Sequence, residues 1–204
     1  MIEKGALLPM FYLPPVEYFT QLNKYKPDVW IERDEHFPKQ TYRNRANIYS
    51  PDGQLALVVP VVKGSKVHTP TKDVKISYDF NWQRMHWMSL QACYRRSAYF
   101  EYYEADFAPF YEQKTTHLFD YNQQLLELLL RLLKIKTTLN YTNEYQARYP
   151  ESVVDLRHAM SAKKDVTIEQ KPYFQVFEER NGFLKNLSIV DLLFNQGPQA
   201  VNYL

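Results

Sequence analysis

The chain predicts an α/β architecture, with α+β as the alternative, because strand-like apolar runs recur between segments of helical period. Two stretches carry this most clearly: QLALVVPVVKG at residues 54–64, a run of valine and leucine typical of a buried strand, and LFDYNQQLLELLLRLLKIK at 118–136, whose leucines wrap more than one helical face. At 204 residues the chain is long enough for one compact domain, 1–204, with a sizeable core.

Taken in order, VEYFTQLNKY (16–25) follows Pro14 and Pro15 and spaces Val16, Phe19 and Leu22 by threes, a short amphipathic helix. DVWIERDEHF (28–37) reads as a strand with an acidic end. KQTYRNRANIYS leads through Pro51, Asp52 and Gly53 into the valine run, which gives an antiparallel hairpin over 40–62. FNWQRMHWMSLQACYRRS spaces Trp82, Met85, Ser89, Ala92 and Cys93 as a helix with Asn81 as its cap.

The aromatics Tyr99, Tyr103, Phe107, Phe110 and Tyr111 form a second helical pattern, interrupted by Pro109. The leucine-rich helix centred on 120–134 is expected to be buried on two sides, TTLNYT is a short strand, and KPYFQVFEE reads as another. Together these give a mixed central sheet, with the hairpin as its antiparallel element and helices flanking it.

Composition narrows the function. With 25 Lys+Arg against 23 Asp+Glu, the long-range field that nonspecific nucleic-acid binding needs is missing. No run of about 18 apolar residues occurs, so no membrane span is expected. One cysteine, Cys93, excludes an internal disulfide and a cysteine metal cluster, and reads as a core thiol; the expected location is the cytoplasm. Five isolated glycines exclude the usual glycine-loop nucleotide motifs. The chain points to no particular cofactor, while 17 Tyr and 12 Phe can line a wet, amphipathic pocket as readily as a core.

Several groups invite chemistry. If 39–47 is a strand, the period of two puts Lys39, Thr41, Arg43, Arg45 and Asn47 on one face, with Arg43 and Arg45 roughly 6.5–7 Å apart, a spacing that grips a diphosphate or two carboxylates. The competing reading is a solvated hairpin face. Glu32, Asp34 and His36 would share another strand face as a weak metal set, or as an acidic end paired with Arg43 or Arg45. His86 lies on an apolar helical stripe, either a satisfied core histidine or a general base. In LSIVDLLFNQGP (187–198), Ser188 and Asp191 are spaced as a near capping box, Leu187 and Leu192 as its staple, and Gly197 as the helix end; Asn195 lies one turn on.

In order along the chain, LPMFYLPPVEYF, KQTYRNRANI, VPV, WQRMHW, FEYYEADFAPFYE, PYFQVF and LSIVDLLFNQGP resemble the WbqC-like family of bacterial proteins from about residue 8 to the C-terminus. The family takes its name from a gene found among those for surface polysaccharide (O-antigen) synthesis. The resemblance therefore implies a cytoplasmic role around activated or amino sugars, with a transferase acting on a small anionic substrate such as a nucleotide sugar as the leading expectation. A noncatalytic glycan-precursor module is the alternative.

By resemblance the recurrent polar residues are Tyr12, Lys39, Asn44, Arg45, His86, Tyr173, Gln175, Ser188, Asp191 and Asn195. In the enzyme reading His86 is the candidate base, Asn44 polarises the reacting group, and Lys39, Arg43, Arg45, Tyr12, Tyr173 and Gln175 bind substrate. The chain departs from many members at Pro9–Met10 and at Arg33–Asp34, where they carry Gln-Pro and two acidic residues. It is also shorter between the leucine-rich helix and Tyr173.

Overall fold

A computed structural model describes residues 2–62, 69–161 and 169–204. Four strands, β1 (Gly5–Pro9), β2 (Val29–Glu32), β5 (Leu139–Tyr141) and β6 (Val153–Asp155), form a parallel sheet in the order β5-β2-β1-β6. The hairpin is a separate two-stranded antiparallel sheet of β3 (Arg45–Ser50) and β4 (Gly53–Val58), so it does not join the parallel sheet as its antiparallel element. The architecture is α/β, with six α-helices among the described residues: α1 (Val16–Tyr25), α2 (Trp82–Tyr94), α3 (Phe100–Glu112), α4 (Leu118–Leu132), α5 (Glu178–Asn181) and α6 (Ile189–Gln196).

The strand order has a functional consequence. β1 is the first strand in sequence and lies inside the sheet; the chain leaves it toward β2 and later returns to its other side as β6. The strand order therefore reverses at β1, and in open parallel sheets the crevice outside the carboxyl ends at such a point is where ligands bind. Three segments leave the sheet at this end: Met10–Tyr12 after β1, residues 33–36 after β2, and residues 156–158 after β6.

Local chemistry sets most boundaries. Gly5 opens β1 at φ 104°, and a Cβ there would sit 2.1 Å from the Asp28 carbonyl oxygen, so only glycine lets β1 start beside the entry to β2. Asn81 caps α2 by accepting from the Arg84 amide, and Ser188 caps α6 by accepting from the Val190 amide. α6 ends at Gly197, φ 53°, whose missing Cβ leaves room for the Tyr99 ring.

The core is continuous across both sheets and the helices. α6 is its hub: Ile189, Val190, Leu192, Leu193 and Phe194 have no exposed surface, and the Phe194 ring meets Tyr94, Phe100 and Phe107 edge-on at 5.3, 5.1 and 5.3 Å. α4 buries Leu125, Leu126, Leu128, Leu129 and Leu130, the two-sided burial its leucines announce. Cys93 is buried, and burial first, then the Asp191 charge, pushes its thiol up to about 11.

Two strand assignments change. Residues 39–44 form turns, and β3 begins only at Arg45, because the polar side chains of this stretch are drawn into separate contacts: the Thr41 hydroxyl accepts from the Arg43 amide and the Asn44 amide group donates to the Val59 carbonyl. Residues 171–177 have no ladder partner; Gln175 hydrogen-bonds Leu184 and Glu178 instead, and the short helix α5 follows.

Candidate functional site

Two buried polar clusters gather most of the sequence-nominated residues. The first lies beyond the carboxyl end of β1. Tyr12, three residues past the strand, is held by its amide on the Tyr42 carbonyl, and the next residue, Leu13, has φ 38°, a strained value for a leucine. The Tyr12 hydroxyl lies 3.0 Å from His86 Nδ1 on α2 and 3.1 Å from the Tyr111 hydroxyl on α3. The Trp82 ring, one turn before His86, meets the imidazole edge-on at 5.1 Å and Tyr121 of α4 at 5.7 Å.

Burial lowers the His86 pKa to about 4, although the Val58 backbone carbonyl faces the ring as an acceptor and works the other way. The ring is therefore neutral at pH 7. The Val58 carbonyl favours the tautomer that leaves Nδ1 without its proton, which assigns Nδ1 as the acceptor for the Tyr12 hydroxyl. Tyr12 itself is held well above the ordinary phenol value, by burial first and then by Tyr111 and Tyr121, so it stays protonated and donates.

Asn44, in the turn just before β3, donates its amide group to the Val59 carbonyl at 3.0 Å, next to the Val58 that faces His86. Asn122 of α4 donates to the Arg43 carbonyl at 2.8 Å. Among the described residues ten buried side-chain atoms have no hydrogen-bond partner, and three of them belong to residues of these segments: Trp82 Nε1, Asn44 Oδ1 and Asn122 Oδ1. A buried donor or acceptor without a partner is costly for structure alone.

The second cluster centres on Asp191, which has no exposed surface. Its carboxylate accepts from the Tyr173 hydroxyl at 2.7 Å, the Tyr94 hydroxyl at 2.9 Å and Gln175 Nε2 at 2.9 Å. Tyr94 in turn accepts from the Tyr49 amide of β3, and Gln175 bonds both the amide and the carbonyl of Leu184. Burial raises Asp191 to about 6 despite these donors. Asn195 donates to the Asp191 carbonyl one turn back, and Ser188 is the cap. Asp191 does not complete the capping box: the Ser188 amide goes to the Asn47 carbonyl, and the carboxylate ties α6 to α2 and to residues 173–175. These contacts join α6 to α2, β3 and residues 173–175.

The strand clamp does not form. Arg43 is 2% exposed and places Nη2 and Nε 2.6 and 2.7 Å from one Glu35 oxygen, with Nη2 also 3.0 Å from the Arg157 carbonyl. Its guanidinium is committed inside the protein, because an arginine buried this deeply needs a carboxylate partner. Arg45, half-buried at the start of β3, keeps an unpaired Nε, and Lys39 sits in an exposed turn. The acidic set also diverges. Glu32 accepts from Thr142 and pairs with Arg157, Asp34 pairs with Lys72, and the His36 ring lies against Tyr145; no described group of three His, Cys, Asp or Glu side chains is arranged to hold a metal.

Sequence reasoning missed Trp82, Tyr111 and Asn122 as site residues. For Asn122 there was a signal: an amide among leucines on a helix buried on both sides has to be satisfied by something. Arg157, which joins Glu32 at the end of β2 to Asp155 at the end of β6, carried none.

Comparison with known proteins agrees with this frame. The model of the WbqC-like protein family matches residues 10–175, and the chain belongs to that family. The chain is 27% identical over 228 aligned positions to "Uncharacterized protein Rv1507c" of Mycobacterium tuberculosis (strain ATCC 25618 / H37Rv), an alignment covering 100% of this chain and 98% of the relative. No solved structure matches.

Proposed function

We propose that this member of the WbqC-like protein family is an enzyme of surface-polysaccharide or amino-sugar metabolism that modifies a nucleotide-linked or amino sugar by group transfer. The observation that carries the reading is the first cluster, beyond the carboxyl end of β1: a neutral His86–Tyr12 pair packed against the Trp82 and Tyr121 rings, with Trp82 Nε1, and Asn44 Oδ1 and Asn122 Oδ1 on neighbouring segments, unpaired among the described residues. Unpaired uncharged donors and acceptors beside ring faces match the alternating hydroxyls and C–H faces of a sugar. In this reading a proton from a reacting hydroxyl or amine passes through the Tyr12 hydroxyl to His86 Nδ1, although burial, which lowers the imidazole to about 4, makes it a weaker base than an ordinary histidine. Asn44 orients the reacting group.

A second reading, a noncatalytic module for a glycan precursor, is favoured by the engagement of the imidazole on both sides, by Tyr12 and by the Val58 carbonyl. Both readings require sugar binding, so the first test is a thermal-shift panel of nucleotide sugars and amino sugars. A ligand at a hundred times its Kd stabilises by about 2.7 kcal/mol, and a panel without any shift would overturn both. Mass spectrometry then separates them. A bound sugar converted to a new mass in the presence of cell extract, and left unconverted by Tyr12→Phe, supports the enzyme; a sugar recovered unchanged in both supports the module.

A further inference from the structure

Next to the first cluster lies an open groove of about 280 Å³, lined by Val62, Lys75, Ile76, Tyr78, Lys114, Thr115 and Thr116. Its frame is rigid: the Val62 amide bonds the Lys75 carbonyl, the Ile76 amide bonds the Thr116 carbonyl, and the Tyr78 hydroxyl both donates to the Thr115 carbonyl and accepts from the Thr115 amide. Two exposed lysines, Lys75 and Lys114, line it. Lys114 Nζ stands 5.0 Å from the Tyr78 ring centre, and among the described residues neither Lys75 nor Lys114 is within ion-pair distance of a carboxylate. In a chain with only two more cations than anions, two uncompensated lysines at one groove are a local excess of positive charge.

Tyr78 is shared between groove and cluster: it lines the groove, and its ring lies 6.1 Å from that of Trp82, the residue whose buried indole N–H has no partner among the described residues. We propose that this groove binds the diphosphate of a nucleotide-linked sugar, with Lys75 and Lys114 on the phosphates, the Thr115 and Thr116 hydroxyls as further donors, and the sugar directed past Tyr78 toward Trp82. The direction of the sugar rests on the proposed function; the phosphate site does not. Lys75 and Lys114 thus take over the anion grip that Arg43, paired with Glu35, cannot supply.

Isothermal titration with sodium pyrophosphate and with UDP-N-acetylglucosamine tests this on the wild type, on Lys75→Gln/Lys114→Gln and on Trp82→Phe. Pyrophosphate is expected to bind the wild type, to weaken roughly tenfold for each lysine removed, and to be unaffected by Trp82→Phe. The nucleotide sugar is expected to bind more tightly than pyrophosphate and to lose that advantage in Trp82→Phe. Pyrophosphate that fails to bind, or binds the double variant as well as the wild type, overturns the groove. Lysine-dependent pyrophosphate binding with no gain from the sugar leaves the phosphate site standing and overturns the sugar reading. Restored binding in Lys75→Arg/Lys114→Arg would show that charge, and not a lysine-specific fold effect, is responsible.

Discussion

Arg43 places Nη2 and Nε against a single carboxylate oxygen of Glu35, at 2.6 and 2.7 Å, with both side chains almost wholly buried. Burial lowers the arginine pKa and raises that of the glutamate, each partner offsetting the effect on the other. Arg43→Ala therefore strands a buried carboxylate and is expected to cost about 3–5 kcal/mol in chemical denaturation. Arg43→Met with Glu35→Leu should recover most of that loss. Ligand affinity measured on the folded double variant should stay unchanged, and a fall would return Arg43 to the binding site.

His86 should make stability depend on pH in one direction. Its folded value of about 4 lies below the ordinary 6.5, so between those values the unfolded chain holds a proton that the folded chain does not. Its contribution is complete above pH 6.5 and is lost as the pH falls toward 4, by up to about 3 kcal/mol. Denaturation of wild type and His86→Gln across pH 4–7 checks this: the difference between them should shrink on acidification.

Asp191 works the other way. Its folded value of about 6 is above the ordinary 3.8, so protonation favours the folded state, and the benefit present below pH 3.8 is lost as the pH rises to 6. The stability of wild type relative to Asp191→Asn should fall by about 3 kcal/mol across that window. At pH 7, Asp191→Ala leaves Tyr94, Tyr173 and Gln175 without their acceptor and is expected to cost about 3 kcal/mol or more in urea denaturation.

Ser188 tests the assignment of its motif. As the cap of α6 it should lose about 1 kcal/mol on Ser188→Ala and only a few tenths on Ser188→Gly, with ligand affinity unchanged. Loss of binding in a variant that melts normally would mark a direct role for the hydroxyl.

The short-range features were legible because their causes are short-range. The Asn81 cap lies three residues from the amide it accepts from, the Pro51–Gly53 turn sits between the two strands it joins, and Ser188 and Gly197 bracket one helix. Within 39–47 only residues 45–47 are strand, for the same reason: the charges alternate as in a strand throughout, but the partner of Arg43 is Glu35, in a segment whose acidic residues the sequence could pair with either arginine.

The sequence by itself determined an α/β chain, its principal helices, the hairpin, the caps and the family to which these motifs belong. Only the tertiary structure decided that β1 lies between β2 and β6, that Tyr12 meets His86 across 74 residues, and that Glu32 pairs with Arg157 across 125. The physical reason is that periodicity and capping record interactions within a turn or two of chain. A buried hydroxyl, amide or charge is satisfied by whichever group the packed layers bring to it, and that choice is made by the whole fold.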